Sequence, residues 1–303
     1  EKLRGGRSNT DCLLADLHPE QHIDRRCTMP SRVVVGYWST RALVQPIRVM
    51  LAHMAIPFED CRYQVGDAPK FDKSAWAEAI PVLEASGMHF PNLPYLIDLD
   101  GTQLTQTHTI MRYLAASRPE HGLMGQDLKQ TTQADMLSEV VHDIMGPFCR
   151  MTYSSWALDF KQKGGHFLNA QLPPLLTRLE SSMNACAGTW CTGTTLTYAD
   201  FLVHEALYQI SNFSTEALSN FHGLKAFMAN FEALPNVAKY VGAAEYLHTP
   251  FHNRYSNFAV WKDGKPLLDE PTGPMSFVKR VYWPPLSEEE AAATKSLDAL
   301  LAQ

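Results

Sequence analysis

The chain has 303 residues, enough for two compact domains or one large one. Its 45% hydrophobic and 19% charged residues match an ordinary globular protein and exclude a chain kept disordered by polar excess. The 26 Lys and Arg against 32 Asp and Glu leave a net charge of −6, so no basic surface for nucleic acid or anionic membrane is expected, and no run reaches the roughly 18 uncharged apolar residues of a membrane span.

Residues 1–29 mix acidic and basic side chains around a short apolar patch at Leu13 and Leu14, and read as a weakly structured extension rather than a secretory or transit signal. The β-branched run Val33 to Val35 predicts a buried strand that ends at Gly36. Val44, Ile47, Met50, Leu51 and Met54 recur at helical spacing, with Pro46 tolerable in the first turn. Cys61, Tyr63 and Val65 alternate as a second strand, followed by a loop containing Gly66 to Pro69. Pro94 to Leu99 and Gln103 to Thr105 flank Asp100-Gly101, a turn pair that signals a hairpin. Ile110, Met111 and Leu114 mark a closing helix ended near Pro119. Strand-helix-strand followed by strand-strand-helix over about 85 residues predicts a thioredoxin-type α/β domain over residues 30–118.

Beyond His121-Gly122 the pattern turns helical. Met136, Leu137, Val140, Val141 and Ile144 mark one amphipathic helix, and Leu172, Leu175, Leu176, Leu179 and Met183 another. Thr197 and Asp200 sit three apart before an apolar stretch, the spacing of a reciprocal helix cap. Two more helices are predicted near 223–234 and 237–246, completing an all-helical domain over 119–262. From 263 to 303, five prolines break the pattern before a short helix starting at Ser287. This tail is expected to be a surface appendage, and residues 1–28 and 265–303 to be dispensable for chemistry.

Six scattered cysteines (Cys12, Cys27, Cys61, Cys149, Cys186, Cys191) form no CxxC pair, which points to reduced thiols in a cytosol-like compartment and to no metal site. His18 and His22 lack the intervening pattern of a zinc protease. A thioredoxin-type domain performs disulfide exchange through a thiolate at the start of its first helix, but residues 36–41 (GYWSTR) hold no cysteine. Hydroxyls stand there instead, so the nucleophile must come from elsewhere.

Six segments in order carry a resemblance over residues 29–261: MPSRVVVGYWSTRALVQPIR, QVGDAPKFDKSAW, HFPNLPYLID, QLTQTHTIMRYLA, TLTYADF and FAVW. Together they resemble a mu-class glutathione transferase. The resemblance implies a thioredoxin-like domain followed by an all-helical one, and a cytoplasmic homodimer. The implied activity joins glutathione, a co-substrate with no prosthetic group beside it, to hydrophobic electrophiles. Carried over by position, it makes Tyr37 the catalytic hydroxyl, with Ser39 as the rival, and places Trp38 and Leu43 against the ligand. Lys73 and Trp76 would hold the glycyl carboxylate; Asn92, Leu93 and the cis-proline Pro94 would meet the cysteinyl part. Gln106 and Thr107 would bind the γ-glutamyl end at a helix N-terminus. Asp143 would reach the partner subunit's site, Tyr153 would assist the electrophile, and Phe90 would anchor the dimer. Two positions depart from the class: Ile80 stands where a lysine is usual, and Gly146-Pro147 is expected to kink the long helix. The alternatives are a transferase-like ligand carrier or assembly subunit, and a glutathione-dependent isomerase using the same site.

Overall fold

The computed structural model of the chain describes residues 30–154, 157–262, 265–266, 273–292 and 294. The expectation for residues 1–29 lies outside them.

The first unit runs β1 (Val33–Trp38), α1 (Gln45–His53), β2 (Phe58–Gln64), α2 (Ser74–Ala85), β3 (Tyr95–Ile97), β4 (Gln103–Thr105) and α3 (Thr107–Ala116). β1 pairs parallel with β2 and antiparallel with β3, which forms the predicted hairpin with β4. The expected thioredoxin-type arrangement is what the chain forms. β1 continues through Gly36 rather than ending there. The reason is packing: a Cβ on Gly36 would lie 2.0 Å from the ring of Tyr95, so only glycine lets β1 and β3 close at this point.

The helix α2 carries no expectation from the sequence. Its buried positions are Ala75, Ala79 and Leu83, too small and sparse to print a strong period, and Pro81 sits inside it.

The second unit holds α4 (Leu128–Thr152), α5 (Ala157–His166), α6 (Leu172–Ala185), α7 (Tyr198–Phe213), α8 (His222–Glu232) and α9 (Pro235–Val241). α4 continues through Gly146-Pro147 as one helix. α9 stops at Val241, five residues short of the expected end, with Gly242 as its cap. Thirteen of the sixteen residues of α7 are buried, because it is packed by α4, α1 and α8 on several sides. Its start is the predicted capping box: Asp200 Oδ2 accepts the Thr197 N–H at 2.7 Å, and Oδ1 accepts the Cys191 N–H at 2.7 Å.

Two buried ionic groups join the units. Arg41 makes a forked contact with Glu205 on α7 (Nη2 to Oε2 2.6 Å, Nε to Oε1 3.2 Å) and donates to the Tyr246 hydroxyl at 2.8 Å. Its guanidinium also lies 4.3 Å from the Tyr208 ring centre, so the charge is enclosed on every side that burial exposes to cost. Asp60 on β2 is held between Arg48 of α1 (Nε to Oδ2 2.8 Å) and Arg62 (Nε to Oδ2 2.6 Å), and Arg62 reaches the second unit by donating Nη2 to the Glu245 carbonyl at 2.6 Å.

The tail corrects the sequence expectation. After the short pair β5 (Trp261–Lys262) and β6 (Lys265–Pro266), β7 (Phe277–Trp283) adds to the free edge of β2, giving the sheet order β4-β3-β1-β2-β7. Its register runs from Phe58 opposite Trp283 to Gln64 opposite Phe277. Trp283 is buried against the ring of Tyr240 at 4.8 Å, so the tail is anchored in the core at that residue, while the rest of β7 stays exposed or half-buried at the sheet edge. Removing residues 265–303 therefore removes a strand from the sheet. The short helix predicted after Ser287 is present over 288–292.

Candidate functional site

β1 delivers Tyr37 to the junction of the two units, where it is 6% exposed. The phenol oxygen meets the backbone N–H of Leu43, from the loop before α1. That loop is fixed by the strap at 250–251: the N–H groups of Arg41 and Ala42 donate to the carbonyls of Pro250 and Phe251, both at 2.9 Å. Burial raises the Tyr37 pKa, Tyr153 and Cys149 raise it further, and the Leu43 amide and Arg48 oppose them less strongly. The phenol is therefore protonated throughout the neutral range, a hydrogen-bond donor rather than a base.

Tyr153 caps the C-terminus of α4 and is 37% exposed. Its oxygen accepts the Asn253 N–H at 3.1 Å, and its ring lies near Tyr255 at 5.6 Å. Beside this pair, Leu43, Pro46, Val141, Met145, Cys149 and Ala206 are among the residues lining a largely apolar cavity. Leu43 itself is 46% exposed. Burial pushes the Cys149 thiol up to about 11, so it is a neutral wall of the cavity.

The hairpin β3–β4 and the start of α3 form a second cluster. Gln106 caps α3 with φ 72° and ψ 118°, an uncommon conformation for a side chain larger than glycine, and it is exposed. Thr107 is buried, and its hydroxyl donates to the Leu43 carbonyl at 3.1 Å, tying the start of α3 to the Tyr37 loop. The first turn of a helix leaves backbone amides without intrahelical partners, and these suit an anion. The Leu93–Pro94 bond is cis, as expected. Asn92 is exposed, and its Oδ1 accepts the Leu93 N–H at 2.8 Å; that amide meets a ligand only when Asn92 turns away.

Lys73 caps α2 and is exposed, with its ammonium 4.3 Å from the ring centre of Tyr255. Trp76 is half-buried. Its ring meets Tyr63 edge-on at 5.3 Å and lies nearly parallel to Tyr95 at 6.4 Å, so the core fixes its orientation. Trp38 likewise packs half-buried against the core. Ser39 is half-buried, and its amide donates to the Tyr63 carbonyl at 2.9 Å.

Asp143 and Phe90 lie elsewhere on the single chain. Asp143 is exposed on α4, and Phe90 is 80% exposed just before Asn92. Phe90, Leu128 and Met136 are the most exposed large apolar side chains among the described residues apart from Met275.

Sequence reasoning missed His252, Asn253 and Tyr255. They lie in an irregular segment with no period to read, and only the fold brings them against Tyr153 and the loop at 66–73.

Comparison with known proteins accords with this geometry. The family description "Glutathione S-transferase, N-terminal domain" matches residues 33–116, and "Glutathione S-transferase, C-terminal domain" matches 142–243. The chain is 35% identical over 232 residues to glutathione S-transferase B of Cavia porcellus, covering 76% of this chain and 99% of that protein. It is 34% identical over 231 residues to glutathione S-transferase Mu 1 of Rattus norvegicus, with the same coverage of 76% and 99%. Among solved structures, the glutathione S-transferase Blo t 8 superposes with a TM-score of 0.65 at 28% identity, over 75% of this chain and 99% of that one.

Proposed function

The chain belongs to the glutathione S-transferase family, and from that premise we propose that Tyr37 stabilises a glutathione thiolate that attacks the electrophilic carbon of an apolar small molecule. The protein is a glutathione transferase that takes glutathione as co-substrate and uses no prosthetic group. The observation that carries the Tyr37 role is its environment: a buried, protonated phenol at the junction of the units, next to Leu43 and within electrostatic reach of Tyr153.

The chemistry follows from that environment. Glutathione loses its thiol proton to solvent, and the Tyr37 O–H donates a hydrogen bond to the sulfur anion. The sulfur then forms a C–S bond while the electrophile releases its leaving group or receives the electron pair. Tyr153 donates its own proton in a hydrogen bond to the oxygen or halide that gains charge, an assistance its electrostatic proximity to Tyr37 supports. Leu43 and the apolar cavity favour a hydrophobic electrophile. Trp38 packs beside the sulfur. Gln106, Thr107 and the start of α3 hold the γ-glutamyl carboxylate, Lys73 and Trp76 the glycyl carboxylate, and Asn92, Leu93 and Pro94 the cysteinyl segment. With Ile80 in place of the usual lysine, Lys73 supplies the charge at the glycyl end.

The assembly is a two-fold homodimer in which Phe90 inserts into the partner and Asp143 approaches the γ-glutamyl amine bound there. The large exposure of Phe90, a costly place for an aromatic ring in a monomer, supports it. Domain limits of 30–118 and 119–262 fit the two units, with β7 assigned to the first. A cytoplasmic setting fits the unpaired spacing of the cysteines.

The test is retention on immobilised glutathione followed by conjugation to a small aryl halide, with the thioether product measured by absorbance. Retention with turnover supports the reading. Retention with no turnover across a panel of electrophiles replaces it with the ligand carrier.

A further inference from the structure

We propose that the tail segment 273–283 positions the loop that receives the glycyl end of glutathione, so that this segment sets the affinity for the co-substrate. The inference rests on the glutathione reading above and deepens it. The segment lies outside both matched family regions, which end at 116 and 243.

β7 places the turn at 273–276 directly on the loop between β2 and α2. Asp67 donates its N–H to the Gly273 carbonyl at 2.8 Å, and Gly273 donates its N–H to Asp67 Oδ2 at 3.1 Å. Ser276 donates its N–H to Asp72 Oδ2 at 2.7 Å and its hydroxyl to the Gln64 carbonyl at 2.6 Å. Asp72 Oδ2 also accepts from Ser74 Oγ at 2.7 Å, so one carboxylate oxygen joins the tail to the first turn of α2, between Lys73 and Trp76. The Ser276 amide is the chief cause that holds the Asp72 carboxyl below its ordinary range. The approach is close: a Cβ on Gly66 would stand 2.6 Å from the Pro274 carbonyl oxygen.

The loop needs such support. Phe71 has φ 47°, which a side chain of that size holds only when its surroundings impose it. From the other side the strap assists: Arg254 pairs with Asp67 at 3.1 Å, Phe71 meets Tyr255 at 5.7 Å, and Lys73 lies over the Tyr255 ring. Ordering the loop before the ligand arrives removes that cost from binding. This matters most where one glycyl-end cation has been replaced by Ile80. The thiol chemistry at Tyr37 makes no contact with the tail turn, so the effect falls on affinity and not on turnover.

The experiment leaves the loop's own sequence untouched. Ser276→Pro removes the N–H that reaches Asp72, and Ser276→Ala removes only the hydroxyl bond to Gln64. Each is assayed with glutathione and with γ-glutamylcysteine, which lacks the glycyl residue. The expected result is a KM for glutathione raised about threefold to tenfold in Ser276→Pro, which loses both bonds, and less in Ser276→Ala, which loses one. The kcat and the KM for γ-glutamylcysteine stay at the parent values. If Ser276→Pro fails to fold, the same split is read from Ser276→Ala alone. Equal rises for both substrates, a fall in kcat, or an unchanged KM in a folded Ser276→Pro would overturn the clamp while leaving the transferase reading intact. A parent protein that neither binds glutathione nor turns over would instead overturn the transferase reading.

Discussion

The ring of Tyr153 lies flat on the ring of His252, with centroids 5.3 Å apart and planes 9° from parallel. His252 is fully buried: Nδ1 lies 2.9 Å from Thr152 Oγ1, and Nε2 lies 3.3 Å from Gln209 Oε1. Gln209 is oriented by donating its own amide to Glu205 at 3.0 Å, so its oxygen faces the imidazole and the ring proton belongs on Nε2. Tyr153 thus stands on a neutral imidazole.

Acid stability follows from that pair. Burial lowers the His252 pKa from 6.5 to about 3, so between those values the unfolded chain binds a proton that the folded chain refuses. Stability contributed by this group is present above the unfolded pKa and declines as pH falls toward the folded one. At pH 5 the loss is about 2 kcal/mol relative to pH 7.5. His53 and His108, also lowered chiefly by burial, act in the same direction. Denaturant midpoints at the two pH values measure the total, and His252→Gln should reduce the difference by the His252 share. An undiminished difference in that variant shows that other groups set the acid limit.

Tyr37→Phe should fold and keep most of its glutathione affinity, while turnover at neutral pH falls by about tenfold to a hundredfold. A free thiol titrates near about 8.5, and one charge-assisted hydrogen bond of about 1.5 to 3 kcal/mol lowers it by roughly one to two units. The deficit should shrink as pH rises toward the free thiol's value, since alkali then supplies the thiolate. A pH-independent deficit assigns the activation to another donor, Ser39 first.

Asp200→Ala should cost about 2 to 4 kcal/mol. The spacing alone predicts an ordinary cap, but the fold adds the Cys191 amide as a second buried donor that loses its acceptor. Burial raises the Asp200 pKa against these hydrogen bonds, which marks the site as desolvated. Urea unfolding measures the loss, and activity at low temperature should be unchanged. Lost activity with unaltered stability would give Asp200 a chemical role.

On the proposed dimer, in which Asp143 would serve the neighbouring site, Phe90→Ala should weaken association and raise the KM for glutathione in step with dissociation. Sedimentation and kinetics over the same concentration range test both together. A fully active monomer rejects the arrangement.

The sequence by itself determined what is local. The Asp100-Gly101 hairpin, the capping box at Thr197 and Asp200 and the amphipathic periods of α1 and α4 each depend on residues a few positions apart, and each stands in the fold. The order of motifs from Tyr37 to Trp261 was equally legible and led to the family. Only the tertiary structure decided that Trp76 is held by Tyr63 and Tyr95, that His252 lies under Tyr153, and that the tail supplies a fifth strand. Strand pairing joins backbones without regard to distance along the chain, and β7 meets β2 with Trp283 opposite Phe58. Five prolines dominate the local signal of that tail, while the partner edge that makes 277–283 a strand exists only once the sheet has formed.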